Sequence, residues 1–251
     1  MGRGGWGRVG VGGGGFYSLA MLKHLGIVGV SPEGAALFYR QLSRAASHHL
    51  PPDEQPVITL HNEPLAQYID AIRRDDWHAV GSLLRRSAEM LARCGARVCM
   101  TPDNIVQHGV YLAEAGSPIP WITMTDLVAE AIEVDGRKKV GILGTKLVTM
   151  ASTYQTRLGL KGIHVIAPDE NEVEMLDEII FGELIYGTAR PESRSAIFSI
   201  INNLCKRGCD GVVIACSEVP LVVTQDATPV KLYDAVDILA DGAMRYMAGR
   251  N

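Results

Sequence analysis

The side chains with the most chemical potential fall in two short segments, Asp103-Asn104 and Cys216-Ser217. A carboxylate and a thiol both give up and accept protons, and an amide or hydroxyl beside each donates hydrogen bonds without competing for that proton. The two segments follow matching lead-ins. Arg93-Cys94-Gly95 runs through an apolar stretch to Asp103, and Lys206-Arg207-Gly208 runs through another to Cys216, with eight residues from glycine to the reactive residue in each case.

The match extends upstream. Gly26-Ile27-Val28-Gly29 precedes Tyr39, and Gly141-Ile142-Leu143-Gly144 precedes Tyr154, by thirteen residues each. Gly26 to Asp103 is 77 residues and Gly141 to Cys216 is 75, so the chain reads as two similar halves. Short apolar runs alternate with stretches of helical periodicity, the pattern of βαβ units. Strands are predicted at 25–30, 57–60, 97–101, 119–122, 139–143, 164–166, 211–215 and 230–232, and helices at 31–49, 65–74, 77–94, 125–135, 149–158, 171–186 and 192–207.

The expected fold is α/β: two similar lobes, each a small parallel sheet flanked by helices, related by pseudo-twofold symmetry, with the active site between them. The first lobe is assigned residues 21–120 plus 225–251 and the second 121–224. Residues just past the carboxyl ends of parallel strands are where ligands bind, which singles out Ser31, Asp103, Asn104, Thr145, Cys216 and Ser217. The symmetry would set Asp103 and Cys216 across a shared cleft.

Composition narrows the function classes. The chain has 251 residues, 47% of them apolar, and a net charge of −4, so no basic surface suggests nucleic acid as a partner. Its longest apolar runs fall well short of the ~20 residues of a bilayer span, which argues against a membrane. Five cysteines with no C-x-x-C pair give neither a disulfide framework nor a zinc knuckle, and a reducing cytoplasmic setting is expected. His48, His49 and His61 lack a partner at metal-ligand spacing, so no metal is expected. Nine of the first fifteen residues are glycine. Residues 1–20 are therefore read as a flexible leader, with Met21 the more natural start. Their glycine run is no dinucleotide fingerprint, since no strand precedes it and no helix follows.

From about residue 25 to 245 the chain resembles the cofactor-independent aspartate/glutamate racemase superfamily, which includes hydantoin racemases, maleate isomerases and arylmalonate decarboxylases. The resemblance rests on Gly26-Ile27-Val28-Gly29-Val30-Ser31-Pro32-Glu33-Gly34 with Phe38-Tyr39-Arg40, on Ala215-Cys216-Ser217-Glu218-Val219-Pro220-Leu221, and on Thr101-Pro102-Asp103-Asn104-Ile105-Val106-Gln107-His108. It implies an amino acid racemase needing no pyridoxal or other cofactor, acting on a small amino acid or carboxylate, and forming a homodimer. Carried over by position, Asp103 and Cys216 are the acid/base pair. Ser31, Asn104, Ile105, Thr145, Thr149, Ser217 and Glu218 bind substrate.

Asp103 stands where the family's first catalytic cysteine sits, and this unbalances the pair. Free Asp and Cys differ by about 4.6 pKa units, roughly 6 kcal/mol for moving a proton from one acid to the other's base. Burial of the aspartate together with donors around the cysteine would close most of that gap. Left open, it favours ionised Asp103 and protonated Cys216, which suits a related isomerase or decarboxylase using Cys216 as proton donor. A non-catalytic carboxylate-binding homologue is the third reading.

Other departures concern substrate. Ile105 replaces a threonine, Gln107 replaces a histidine with His108 as an adjacent substitute, and Tyr186 occupies the segment where aspartate racemases carry a basic residue. Arg190, Arg194 and Arg40 are the candidates to compensate. Structural alternatives stand beside these readings: Asp103 as a turn residue, Cys216 as core, Thr145 and Thr149 as helix caps, and Glu218 as a loop partner.

Overall fold

The computed structural model describes residues 24–51 and 55–249. The leader expected at 1–20 lies outside the described residues. Among the described residues, seven strands and ten α-helices form two parallel sheets with their flanking layers. The first sheet has the order β2-β1-β3, from β1 (His24–Gly29), β2 (Val57–Asn62) and β3 (Val98–Met100). The second has the order β5-β4-β6-β7, from β4 (Lys139–Gly144), β5 (His164–Ile166), β6 (Gly211–Ala215) and β7 (Lys231–Asp234). In each, the first strand of the lobe is flanked by its second and third.

The duplication is physical as well as numerical. A Cβ on Gly26 would come within 2.9 Å of Leu91, and one on Gly141 within 2.7 Å of Leu204. In both lobes a helix therefore lies tight on the central strand where the strand has no side chain: α3 (Trp77–Arg93) on β1 and α9 (Pro191–Lys206) on β4. Both helices then turn at a left-handed glycine, Gly95 (φ 95°) and Gly208 (φ 87°), whose backbone a side chain would strain. The pattern delivers β3 and β6 to equivalent places beside β1 and β4.

Helix α1 (Pro32–His49) starts at Ser31, whose hydroxyl accepts from the Gly34 N–H, with Pro32 preset for the first turn. It buries Phe38, Leu42 and Ala46 in a core that also takes Ile27 from the first sheet and Ile142, Val213 and Ala215 from the second. One apolar core thus joins the two lobes, and burial at roughly 25 cal/mol per Å2 of apolar surface holds the sheets to each other. Helices α2 (Leu65–Arg73) and α8 (Glu170–Gly182) complete the outer layers.

Several expectations are corrected. The assignment of 225–251 to the first lobe fails at its strand: β7 pairs with β6 from Gly211 with Lys231 to Ile214 with Asp234, completing the second sheet. Tyr233, buried in the joint core, anchors that pairing through its hydroxyl, which donates to Asp135 Oδ2 at 2.7 Å. Helix α10 (Ala235–Met247) then returns to α1, where Gln41 Nε2 donates to Asp237 at 2.8 Å. The strand predicted at 119–122 makes only one bridge, Trp121 with Cys99, since Pro118 and Pro120 lack the N–H groups a ladder needs. The helix predicted at 149–158 is two, α6 (Lys146–Met150) and α7 (Ser152–Gly159), separated by extended Ala151 (ψ 148°). Helices α4 (Gln107–Glu114) and α5 (Met124–Val134) link the lobes in sequence. Among the described residues no helix is long and apolar enough to cross a membrane.

Candidate active site

A cavity of about 500 Å3 opens at the carboxyl ends of the strands, lined from both lobes. Asp103, Asn104, Ile105 and Ser31 reach it from the first, and Thr145, Cys216, Ser217 and Glu218 from the second. Eight of the nine residues singled out in the sequence therefore meet in one place. The ninth, Thr149, does not line it: its hydroxyl donates to the Gly144 carbonyl at 3.2 Å, bracing the short helix α6.

Asp103 lies in the loop after β3. Its Oδ1 accepts from the Ile105 N–H at 3.0 Å, an Asx turn, so the turn reading and the cavity position hold together. Burial, and the charge of Glu218, push its carboxyl up to about 6, against the pull of the backbone N–H groups of Ile105, Ser31 and Val106. Gln107 fixes this loop from below: its Nε2 donates to the Asp103 carbonyl at 2.9 Å and to the Thr101 carbonyl at 3.3 Å. His108 is no substitute for the missing histidine, because it is exposed and packs edge-on against Trp77 at 5.1 Å.

Cys216 follows β6 and is only 5% exposed, against Leu143, Ile214 and Val219. Its Sγ donates to Glu218 Oε2 at 3.1 Å. Burial first, then the Glu218 charge, push the thiol above its ordinary range, outweighing the N–H groups of Glu218 and Val219. The expectation that its surroundings would lower the cysteine is thus corrected: carboxyl and thiol both rise. At neutral pH the pair rests with Asp103 ionised and Cys216 protonated.

Hydrogen-bond donors complete the floor. Thr145 begins α6 without capping it; the residue lines the cavity, and its buried hydroxyl has no partner among the described residues. The most informative contact has no counterpart in the sequence pattern. Tyr154 of α7, 1% exposed, donates its hydroxyl to Asn104 Oδ1 at 2.7 Å, from the second lobe into the first. That bond occupies the amide oxygen of Asn104, a residue that lines the cavity, and leaves its amide N–H groups as the donors. Its repeat counterpart Tyr39 is 43% exposed, so equal spacing does not give equal surroundings. Tyr154→Phe is expected to cost about 1 kcal/mol of stability, measured by urea denaturation, and to slow turnover about tenfold with little change in KM. Unchanged turnover would show the bond to be structural only.

The cavity lining also includes the exposed Arg40 and Arg44 on α1 and the apolar residues Ile180, Phe181, Ile185 and Leu221. Of the three arginines expected to compensate for the missing basic residue, only Arg40 lines it. Arg190 is held by Glu183, whose carboxylate also accepts from Ser193 at 2.7 Å, and Arg194 lies over the Phe198 ring.

A family model for Asp/Glu/hydantoin racemases matches residues 27–243. The chain belongs to that family. Among solved structures, a candidate Asp/Glu racemase of Yersinia pestis is 29% identical, with 90% of this chain and 99% of that one covered and a TM-score of 0.84. An aspartate racemase homologue from Pyrococcus horikoshii is 26% identical over 90% and 99%, with a TM-score of 0.81. The aspartate racemase of Picrophilus torridus is 20% identical over 91% and 95%, with a TM-score of 0.71, a likeness of fold. This family member has the two-lobed α/β fold of those relatives.

Proposed function

We propose that the protein is an amino acid racemase that needs no bound cofactor, with Asp103 and Cys216 as opposed bases on one α-carbon. The reading rests above all on one observation, that a carboxylate and a thiol from duplicated lobes line the same cavity. Ionised Asp103 takes the α-proton from one face and becomes the acid. The Cys216 thiol gives a proton to the other face and becomes a thiolate, towards which the backbone N–H groups of Glu218 and Val219 donate. Asn104, Thr145 and Ser217 donate to the substrate carboxylate as it gains enediolate charge. Solvent exchange restores the starting pair, and the opposite enantiomer uses the reverse steps.

The raised thiol favours a second reading. A pair that rests strongly as carboxylate and thiol is better suited to one-way protonation than to symmetric shuttling, so a decarboxylase or isomerase with Cys216 as proton donor is the competing activity. Incubating D- and L-amino acids and small dicarboxylates in heavy water separates them. Racemisation gives α-deuterium together with decaying optical rotation, whereas decarboxylation releases carbon dioxide. Carbon dioxide release with no α-deuterium in the recovered substrate would overturn the first reading.

A further inference from the structure

Asp234 ends β7 and lines the cavity, yet the proton transfer above does not use it. One of its oxygens is occupied: Oδ1 caps α10 by accepting from the N–H groups of Val236 at 3.0 Å and Asp237 at 3.2 Å. Among the described residues no cationic side chain forms an ion pair with it. Arg40 and Arg44, the cavity's two arginines, sit on the exposed side of α1. Asp234 is only partly exposed, whereas both arginines are exposed. Burial pushes its carboxyl up to about 6, which leaves it ionised at neutral pH.

Three carboxylates therefore line the cavity: Asp103, Glu218 and Asp234. A substrate bearing only a carboxylate would bring a fourth negative charge into a partly desolvated space, where repulsion is stronger than in water. A cationic group on the same substrate removes the conflict. A second polar group is left unsatisfied in the wall of this cavity: the buried hydroxyl of Thr145, which has no hydrogen-bond partner among the described residues.

We propose that Asp234 receives the α-ammonium group of the substrate, so that the cavity selects α-amino acids over carboxylates without a cation. The proposal rests on the cavity being the substrate site, but its test needs no turnover. The probes are α-methylphenylalanine and its 2-hydroxy analogue, which lack an α-proton and differ only in the ammonium group. Calorimetric titration of the full chain should show the amine bound about ten- to a hundredfold more tightly. Asp234→Asn retains an oxygen to cap α10, so the helix keeps its start while the charge is lost. In that variant the amine should lose its advantage, and the hydroxy analogue should bind as before or slightly better. Equal binding of the probes by the unaltered chain, binding of neither, or a preference that survives Asp234→Asn would overturn the proposal. Failure of proton transfer shows separately, in the heavy-water exchange of substrates that do carry an α-proton.

Discussion

Cys216→Ser is expected to slow turnover by about 10²–10⁴-fold, the range that a positioned acid or base contributes. The substitution keeps the size of the side chain and its hydrogen bond to Glu218, so the loss reports the proton and not the packing. A serine hydroxyl is a far weaker acid than a thiol, and the same burial and Glu218 charge that push Cys216 up act on it too. The variant should unfold at the same urea concentration as the original chain, within about 0.5 kcal/mol. Retention of turnover would remove Cys216 from the mechanism and leave it a core residue at a strand end.

Asp103→Asn should also cost about 10²–10⁴-fold in turnover, while moving stability in the opposite direction. The folded carboxyl titrates at about 6 against an ordinary 3.8, so folding favours its protonated form. The ionised group is thus a burden on the fold that is absent below about pH 4, grows between 4 and 6, and is complete above 6, amounting to about 3 kcal/mol at most. Asparagine still accepts from the Ile105 N–H and carries no charge. The variant should therefore be more stable than the original at pH 8 and equal to it near pH 4, by urea denaturation at the two values. In the original chain kcat/KM should rise with pH through about 6 as Asp103 ionises, and the alkaline limb should lie above the ordinary thiol range. An acid limb near 4, or a variant destabilised at pH 8, would contradict this role for Asp103.

The repeat is legible in the sequence because it is written in glycines that packing requires. Gly26 and Gly141 admit Leu91 and Leu204, and Gly95 and Gly208 make the same left-handed turn. That suffices to bring Asp103 and Cys216 to one cavity. Two helices lack a clear local signal for related reasons. Helix α4 has only eight residues and contains Gly109, a weak helix former that the nearby Val80 side chain requires. Helix α10 contains Gly242, where a Cβ would lie 2.5 Å from Leu127, so close packing on α5 overrides local propensity. The Tyr154 to Asn104 bond joins residues 50 apart and has no local signature. Thr149 departs from expectation because α6 ends at Met150, directly after it, and its hydroxyl turns to the Gly144 carbonyl. The thiol's direction of shift is unreadable from sequence because it depends on how deeply the strand end is enclosed.

Racemisation by Asp103 and Cys216 requires two proton-transfer groups on opposite faces of one carbon, each exchanging with solvent and not with the other. Initial-rate labelling in heavy water tests this most directly, with one enantiomer of a reactive amino acid and both enantiomers analysed by mass after less than a tenth of the conversion. The newly formed enantiomer should carry deuterium at the α-carbon in full, while the remaining starting enantiomer still carries protium. A product that retains the original proton would mean a single base working on both faces, and would contradict the pairing of Asp103 with Cys216.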